Sequence, residues 1–531
     1  MSENQQNVTS VQGEGIHGVL PPLKQVIEHG GAPFRPTAGT RVVIAEPAQA
    51  VGLLADAELL AAELARLPTH GFQEDGPRVR DAQYQGDPAS RQVAVGVEPQ
   101  PGDVVLRLVE ALGGATSPEA YRLETTAQQA NITATTATGV FYGTRTLLQS
   151  LVLSGGIQAC TVVDEPAKPV RGLHVDVGRK YFSPAWLHQQ VRELAWCKLN
   201  EFQLHFSDNE GFRLESRSHP EVVSQEHLSQ DELRALLAEA ARYRVRVVPA
   251  LDVPGHMRCA LEAHPELRAS DTEAGRLLLD YSRPQARALV TDLLDELVPL
   301  FGTQVWHLGG DEVFPMGGPA WDKEQHERLA RDFPQLAAYA QEQVGPQATV
   351  LDGYLHYLGT VVARLRSLGV RQVRAWNDAL YLPGTSVGLN SDVVITYWTA
   401  WHQGFAPVER FVQTGHRVIN FNDSVFYYVL TTPGRAYWDR PSVQSAYEWR
   451  PGVFPRLMDG RPQSWQEGQD PWNLGALFSV WCDVPEAQTE AEVAEGVRPR
   501  LRAMGSRLWR PETAVPFALW REREERLGAA I

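Results

Sequence analysis

Two adjacent acidic residues, Asp311 and Glu312, follow an apolar run and a pair of glycines in the segment WHLGGDEVF (306–314). Neighbouring carboxylates repel each other and are costly to bury, so a solvated turn is the simplest explanation. The alternative is a strand end that presents two acids to a reaction, one of them as a general acid or base. The surrounding sequence has to distinguish these two explanations.

Further polar and aromatic residues follow other strand-like runs, among them LHFSDNEGFRLE (204–215) and VVPALDVPGH (247–256). The residues at or just beyond the ends of these runs are Asp208, Asp252, His256, Trp376, Trp398, Trp481 and Asp483. Indole faces pack against the apolar C–H face of a sugar ring, while charged groups bind its hydroxyls. This mixture of carboxylates, one histidine and indoles is therefore typical of a sugar site.

The elements that must position these residues alternate between strand and helix. Eight strand-like runs, beginning with VRGLHVDV (170–177) and ending with ALFSVW (476–481), are separated by helical segments. One helix is marked by the capping-box pair Ser229 and Glu232, another by Ser183-Pro184. This alternation predicts an α/β fold, a (β/α)₈ TIM barrel over residues 166–531, whose active site lies where the strands end. A doubly wound open sheet is the alternative, but no GxGxxG pattern follows the first strand.

The sequence before residue 166 has a different rhythm. Short β-type runs grouped with two helical stretches predict a smaller α+β domain over residues 36–165. The polar residues 1–35 are expected to form a flexible N-terminal lead-in. The two prolines of DEPAKP predict a linker to the barrel.

Composition excludes several classes of partner. The formal net charge is −15 and no Lys/Arg cluster occurs, so neither nucleic acid nor an anionic membrane surface is expected as a partner. No stretch of about 18 apolar residues predicts a membrane span. The four cysteines form no CxxC pair, which argues against a zinc site or a disulfide framework. The start of the chain lacks a signal-peptide pattern, so a cytoplasmic protein is expected, although a trimmed chain would look the same.

Four segments together resemble the family 20 glycoside hydrolases, the β-N-acetylhexosaminidases. HLGGDEV (307–313) is similar to the active-site signature of that family, and RGLHVDVGRKYF (171–182) resembles its first-strand segment. LHFSDNEGFRLE and VVPALDVPGH resemble the segments at the second and third strands. The matches occur in the correct order, and GVFYGTRTLLQ (139–149) extends the likeness into the preceding domain.

The resemblance implies an exo-acting, retaining hydrolase of terminal N-acetylglucosamine or N-acetylgalactosamine, acting on oligosaccharides or glycoconjugates. In this family the 2-acetamido oxygen of the substrate attacks the anomeric carbon and forms an oxazolinium intermediate. By resemblance, Glu312 is the general acid and base, and Asp311 orients the acetamido nitrogen. His256 and Asp208 form a relay to Glu312, whose pKa is expected to be raised by burial and by Asp311. No metal or cofactor is implied, and a homodimer is left open.

The resemblance also implies a set of substrate-binding residues. Arg171 would bind the 3- and 4-hydroxyls, and Tyr428 would donate to the acetamido oxygen, with Tyr427 as an alternative. Asp176 and Arg179 are interpreted as supports of the barrel rim. Indole walls and a further hydroxyl-binding acid complete the set, assigned to Trp376, Trp398, Trp481 and Asp483.

This sequence departs from the family pattern at three positions. Asn209 replaces the second Asp of a D-D pair, and Phe212 replaces the Trp that follows it. Leu430 stands where an acid commonly follows the tyrosine and holds the outer hydroxyls of the sugar. A relative that acts on a modified sugar or releases a disaccharide, as a lacto-N-biosidase does, therefore remains an alternative. A catalytically silent sugar-binding protein is a third hypothesis.

Overall fold

The strands and helices of the chain are distributed over two compact units. The computed structural model describes residues 15–67, 92–314, 323–431, 441–512 and 515–531. The first unit comprises the described residues of Met1–Ala167 with Trp196–Lys198 and Glu512–Ile531, and the second comprises Lys168–Ala195 and Leu199–Pro511. Within the described ranges, every helix is too short or too polar to cross a bilayer.

The first unit contains a mixed seven-stranded sheet in the order β1-β7-β5-β6-β4-β2-β3. Its strands are β1 (Gln25–Glu28), β2 (Val42–Ile44), β3 (Val93–Val95), β4 (Val104–Leu108), β5 (Tyr121–Thr125), β6 (Ala130–Ala134) and β7 (Cys160–Asp164). Its helices are α1 (Ala50–Arg66), α2 (Ala137–Ser154) and, from the end of the chain, α14 (Phe517–Leu527). Thr136 caps α2, because its side chain accepts a hydrogen bond from the backbone N–H of Gly139.

Two of the predicted domain limits differ from the structure. The expected lead-in of residues 1–35 contains β1, which pairs antiparallel with β7, from Gln25 opposite Val163 to Glu28 opposite Cys160. Residues 512–531, assigned to the barrel from the sequence, belong instead to the first unit. Both differences depend on pairing between distant parts of the chain, which local composition does not report.

The second unit is a closed barrel of eight parallel strands. The strands are β8 (Val170–Asp176), β9 (Glu201–Asp208), β11 (Arg246–Leu251), β12 (Val305–His307), β13 (Gln372–Trp376), β14 (Val394–Tyr397), β15 (Val418–Asn420) and β19 (Asn473–Trp481). They are hydrogen-bonded in this order, and β19 pairs with β8 from Gly475 opposite Val170 to Val480 opposite Val175. This closure confirms the predicted barrel and excludes the open sheet, since an open sheet has two unpaired edges.

Helices and short strands complete the second unit. The helices are α3 (Pro184–Trp196), α4 (Gln230–Arg242), α5 (Arg258–Ala263), α6 (Pro284–Phe301), α7 (Lys323–Asp332), α8 (Pro334–Gln343), α9 (Val350–Ser367), α10 (Val408–Gln413), α11 (Asp423–Phe426), α12 (Val443–Glu448) and α13 (Glu490–Trp509). The short strands are β10 (Gly211–Phe212), β16 (Tyr427–Val429), β17 (Val453–Phe454) and β18 (Gln463–Ser464). The predicted capping box of α4 is present, with Ser229 and Glu232 each bonding the backbone of the other.

Candidate active site

Asp311 and Glu312 lie just beyond the carboxyl end of β12, on a tight turn. Gly309 and Gly310 have φ values of +78° and +86°, and a Cβ on Gly309 would overlap the Oδ1 atom of Asp252. The glycine pair therefore lets the backbone approach Asp252, whose Oδ1 accepts a hydrogen bond of 3.0 Å from the N–H of Gly310. Glu312 itself has a φ of +45°, so the backbone at the acidic pair is not extended.

The two acids nevertheless occupy different environments. Asp311 is buried, with 8% of its surface exposed, whereas 47% of the Glu312 side chain is exposed. Only five described non-glycine residues have positive φ, and two of them are Glu312 and His256. Backbone conformations of this kind cost free energy, and they persist at sites where side-chain geometry matters more than local stability.

A chain of charged contacts connects Glu312 to the end of β9. The Nε2 atom of His256 is 3.4 Å from Oε2 of Glu312, and its Nδ1 is 3.0 Å from Oδ1 of Asp208. The other oxygen of Asp208 lies 2.9 Å from Nε2 of His205. The structure thus brings together the four residues predicted to act in catalysis, including Asp311, whose Oδ2 is 3.7 Å from the His256 ring.

The charge state of this chain follows from its neighbours. Burial alone would raise the pKa of Asp208, but Arg179 and His256 hold it well below its usual range. Burial alone would lower the pKa of His256, but the carboxylates of Asp208 and Asp311 raise it well above 6.5. These opposite shifts favour a protonated imidazole beside an ionised carboxylate.

The expectation of a raised Glu312 pKa is wrong. The hydrogen bond from His256 lowers the pKa of Glu312, and this effect outweighs the opposing effect of burial. The sequence alone did not predict that the His256 side chain lies close enough to Glu312 to lower its pKa.

The raised pKa belongs instead to Asp311 and two further acids. Burial and the adjacent Asp252 raise the pKa of Asp311 well above its usual range. Burial raises the pKa of Asp252 to about 6, and burial together with Asp311 raises that of Asp378 to about 8. Oδ1 of Asp311 accepts no hydrogen bond from the described residues. A buried acceptor in this state is available to a ligand.

The sequence analysis did not identify Asp378 as a site residue, although it lies two residues beyond the predicted Trp376. Its Oδ2 accepts a hydrogen bond of 2.8 Å from the N–H of Glu312, and its Oδ1 accepts one of 3.1 Å from the indole of Trp398. Asp378 thus connects the backbone of the acidic pair to one wall of the site. Its position after β13 is a signal that could have identified it, because strand ends meet on one rim.

The predicted indoles converge with one tyrosine into an aromatic wall. The rings of Trp398 and Tyr427 stack with centroids 5.8 Å apart and an interplanar angle of 4°. Trp481 lies 5.8 Å from Tyr427 and 6.2 Å from Trp376. The four rings belong to one apolar cluster, so the structure brings all three predicted indoles together.

The assignment of Arg171 to the site is wrong. Arg171 is the second residue of β8, about 16 Å along the strand from Asp176 at the other end. Its side chain is fully buried, donates a hydrogen bond of 2.8 Å to the carbonyl of Lys168, and lies 5.2 Å from the ring of Trp509. The amino ends of the strands form the face of a barrel opposite its active site, so Arg171 is structural.

Arg179, unlike Arg171, lies just beyond the carboxyl end of β8. It follows β8 and lies 3.0 Å from Oδ1 of Asp208, 3.0 Å from Oδ2 of Asp176 and 3.1 Å from Oε2 of Glu210. Its guanidinium also lies 5.6 Å from the ring of Trp481. Asp176 supports the rim as expected, since it accepts hydrogen bonds from the N–H of Arg179 and from that of Cys482.

Asp483 lies at the open rim near this arginine. Its enclosure raises its pKa, and the positive charge of Arg179 opposes that change. The residue keeps an exposed surface although part of its carboxyl group is desolvated, and Arg179, Asp176, Asp208 and Glu312 are close enough to affect its pKa. The structure therefore places Asp483 with the other predicted residues.

Tyr428 does not face the site, which corrects the second binding assignment. Consecutive residues of β16 point to opposite sides, so Tyr427 and Tyr428 cannot both face the same pocket. Tyr428 faces α13, where a Cβ on Gly496 would overlap its hydroxyl and the guanidinium of Arg500 lies 5.4 Å from its ring. Tyr427, the alternative that the sequence left open, joins the aromatic wall.

This correction also changes which residue replaces the acid expected two places after the tyrosine. That place is Val429, which is 2% exposed and belongs to the aromatic and aliphatic cluster, rather than Leu430. Leu430 donates its backbone N–H to the carbonyl of Trp481 over 2.8 Å. With Tyr427 as the tyrosine of the site, the residue two places further on is still apolar and not an acid.

Three groups of side chains among the described residues have a spacing that could hold a cation. Two of them are parts of the site: Asp176 with His205 and Asp208, and Asp252 with His256 and Asp311. In the first, Arg179 contacts the carboxylates of Asp176 and Asp208, and in the second, His256 lies 3.7 Å from a carboxylate oxygen of Asp311. The third group lies elsewhere in the barrel unit.

Comparisons with known proteins agree with this geometry. Residues 169–512 match the glycosyl hydrolase family 20 catalytic domain, and residues 17–165 match domain 2 of the same family. The chain is 27% identical over 424 residues to the lacto-N-biosidase of Bifidobacterium bifidum, a match that covers 79% of this chain but 35% of that protein. It is 27% identical over 438 residues to the β-N-acetylhexosaminidase of Cellulomonas fimi, covering 77% of each.

A solved structure shows the same fold over nearly the whole chain. The family 20 β-N-acetylhexosaminidase of Streptomyces coelicolor superposes with a TM-score of 0.70 at 21% identity and covers 97% of each chain. Fold and site together define a (β/α)₈-barrel hydrolase with paired acids in an indole-walled pocket. The chain belongs to glycosyl hydrolase family 20.

Proposed function

We propose that this protein is an exo-β-N-acetylhexosaminidase that removes terminal N-acetylglucosamine or N-acetylgalactosamine with retention. The observation that carries the proposal is the contrast between two adjacent acids at the end of β12. Buried Asp311 offers an unbonded Oδ1, and exposed Glu312 can reach a leaving group. This pair suits a reaction in which the substrate supplies its own nucleophile, because Glu312 alone then has to exchange protons with the leaving oxygen and with water.

The pKa shifts of the two acids bear on this chemistry. Burial and Asp252 raise the pKa of Asp311, and the hydrogen bond from His256 lowers that of Glu312, whereas the reaction needs an ionised Asp311 and a protonated Glu312. A sugar that covers Glu312 removes water from it and raises its pKa, while its amide N–H stabilises ionised Asp311. Substrate binding therefore shifts the pKa values of these two acids toward the order that the reaction needs.

In the reaction, Glu312 donates its proton to the leaving oxygen as the acetamido oxygen attacks the anomeric carbon. Asp311 then accepts the amide N–H and stabilises the positive charge of the forming ring. His256 and Asp208 stabilise the anionic form of Glu312 after it has lost its proton. Glu312 next removes a proton from water, which opens the ring and restores the acid.

The same pocket offers groups to hold the sugar. We assign hydroxyl binding to Arg179 and Asp483, which flank the open rim. Tyr427 takes the role of donor to the acetamido oxygen, since burial raises its pKa well above 10 and keeps its hydroxyl protonated. The indoles of Trp376, Trp398 and Trp481 wall the acetamido group and the apolar ring face.

Hydrolysis of p-nitrophenyl N-acetyl-β-D-glucosaminide tests the proposal. Glu312→Gln should lower kcat/KM by at least about a thousandfold, because no proton reaches the leaving group. Glu226→Gln is the matched control, since the Glu226 side chain is 69% exposed and contacts Arg213 only at 4.0 Å. Full activity in Glu312→Gln, or no turnover in the wild-type protein on any N-acetylhexosaminide, would contradict the proposal; the latter result would favour a silent sugar-binding protein.

The internal nucleophile has a separate test. A thiazoline mimic of the oxazolinium intermediate should bind at least about a hundredfold more tightly than N-acetylglucosamine. Asp311→Asn should weaken the mimic more than it weakens the product sugar. Equal affinity for the mimic and the product would point to a protein nucleophile, with Asp208 or Asp252 as the candidate.

A second candidate function is release of a disaccharide. It is favoured by Val429, which leaves the place of the outer-hydroxyl acid apolar, and by the similarity to a lacto-N-biosidase. Comparing kcat/KM for the p-nitrophenyl glycosides of N-acetylglucosamine and of lacto-N-biose separates the two. A preference of tenfold or more for the disaccharide would replace the exo-hexosaminidase proposal.

A further inference from the structure

A cluster of two histidines and one carboxylate lies on two loops of the barrel unit, apart from the acidic pair. Nδ1 of His219 and Nε2 of His264 are each 2.9 Å from the same oxygen, Oε1 of Glu221. The imidazole rings are nearly perpendicular, with centroids 6.0 Å apart and an interplanar angle of 83°. The three ligand atoms thus face one another, and all lie within 4.8 Å.

The second nitrogen of each ring faces a further carboxylate. Nε2 of His219 is 3.4 Å from Oδ2 of Asp292 on α6, and Nδ1 of His264 is 3.5 Å from Oε1 of Glu266. Histidines that bind metals usually direct their remote ring nitrogen at a carboxylate, which fixes the tautomer and makes the ligating nitrogen more basic. Here both remote nitrogens lie near a carboxylate, at 3.4 and 3.5 Å, but these are charge contacts and not formed hydrogen bonds.

We propose that His219, Glu221 and His264 bind a divalent first-row transition ion, with Zn²⁺ as the preferred occupant. Two imidazoles and a carboxylate form a borderline-soft ligand set that suits Zn²⁺, whereas Ca²⁺ and Mg²⁺ prefer oxygen ligands only. Ligand atoms about 2.1 Å from a tetrahedral ion lie roughly 3.4 Å apart. The observed 2.9 Å separations therefore have to open by about half an ångström, which rotation of the half-exposed Glu221 side chain can supply.

The local charge favours a cation at this place. Glu221, Glu266 and Asp292 contribute three carboxylates around two imidazoles, in a chain of net charge −15. The side chains of His219 and His264 are 17% and 23% exposed, so an ion can enter from solvent and keep a water ligand. The site would be structural, since no bond-breaking group of the catalytic pocket takes part.

The ion would join two loops that also carry catalytic groups. His219 and Glu221 lie beyond β9, which ends in Asp208, and the short β10, and His264 directly follows α5, which begins two residues after His256. A shared ion between these loops would restrain their relative motion. The expected consequence is greater thermal stability of the barrel unit, with little change in kcat at saturating substrate.

Binding is tested on the full chain without a histidine tag, after treatment with a chelator and its removal. Titration calorimetry with Zn²⁺ alone should show one ion per chain, and Co²⁺ should give the visible absorption of a tetrahedral site. His219→Gln, His264→Gln and Glu221→Gln should each raise the Kd at least tenfold and abolish the upward shift of Tm with Zn²⁺. His227→Gln is the control, because this histidine lies on the same loop and contacts only backbone carbonyls.

Two results would overturn the proposal. Zn²⁺ affinity that is unchanged in all three variants would mean an adventitious ion only, and a wild-type chain without stoichiometric binding would mean a hydrogen-bonded cluster that takes no metal. If a histidine variant does not fold, Glu221→Gln alone decides, since the amide keeps the shape of the side chain but is a poor ligand. The readouts are independent of hydrolysis, so the result stands whichever substrate the protein proves to have.

Discussion

Replacing Tyr427 by Phe removes a single hydroxyl from the aromatic wall and leaves the ring in place. The ring of Tyr427 stacks on Trp398 at an interplanar angle of 4°, and this contact does not need the hydroxyl. The neighbouring Tyr428 provides a matched control, because it lies on the same strand but faces α13. The pair of variants therefore separates a role in the pocket from a general effect of losing a tyrosine hydroxyl.

The size of the effect follows from the hydrogen bond that the hydroxyl would make. Burial keeps Tyr427 neutral and able to donate, and Tyr427 is 7% exposed, so water cannot replace the donor easily. A hydrogen bond to a group whose charge changes in the reaction is worth about 1.5–3 kcal/mol. With about 1.4 kcal/mol per tenfold, Tyr427→Phe should lower kcat/KM by roughly 10- to 100-fold. Tyr428→Phe should stay within about twofold, since it removes no group from the pocket.

The assay is steady-state hydrolysis of an N-acetylhexosaminide by both variants, with thermal unfolding to confirm that each is folded. The loss in Tyr427→Phe should appear in kcat as well as in kcat/KM, because the acetamido oxygen is the attacking atom. Normal kinetics in Tyr427→Phe combined with a large loss in Tyr428→Phe would refute the assignment and restore the residue first chosen from the sequence.

Three further predictions concern two buried acids and the glycine turn of the site. Because the pKa of Asp378 is raised from 3.8 to about 8, its contribution to stability is fully present below pH 3.8 and is lost as pH rises toward 8, at up to about 1.4 kcal/mol per pH unit. Asp378→Asn should therefore flatten the fall of Tm between about pH 5 and 8, and parallel profiles for variant and wild type would contradict this. Gly309→Ala should lower Tm by several degrees and reduce kcat, because the new Cβ would overlap Asp252 and because residue 309 has a φ of +78°, which alanine rarely adopts. Unchanged Tm and kcat would show that the turn accommodates alanine. Glu201→Gln removes the buried carboxylate that lies 2.8 Å from the guanidinium of Arg374. The variant should lower the free energy of unfolding of the barrel unit by about 3–5 kcal/mol, measured by denaturant unfolding. Its KM should stay within twofold of the wild-type value, measured by steady-state kinetics.

The sequence predicted the barrel because its strands and helices alternate and because buried parallel strands are continuous apolar runs. Each of the eight predicted runs contains or overlaps one strand of the barrel. It also predicted which strand ends carry the acids, the histidine and the indoles, since these residues directly follow the runs.

The errors arose where a function depends on which end or which face a residue occupies. Arg171 and Arg179 bracket the same strand, but only the carboxyl end of β8 meets the pocket. Tyr427 and Tyr428 differ by one position, and a shift of one residue on a strand reverses the side to which a side chain points. The raised and lowered pKa values of Asp311 and Glu312 depend on His256 and Asp252, which lie more than fifty residues away in the chain.

The smaller unit draws its residues from both ends of the chain, with α14 added to the sheet and helices built from residues before 168. During synthesis on the ribosome, strands β1–β7 emerge early, but α14 emerges only after the whole barrel. The guanidinium of Arg526 on α14 donates a hydrogen bond to the carbonyl of Leu153 on α2, so an element made after the barrel contacts one made before it. While the second unit folds on the ribosome, the first unit therefore still lacks α14. Cleavage of the chain near residue 511 would remove α14 from the first unit.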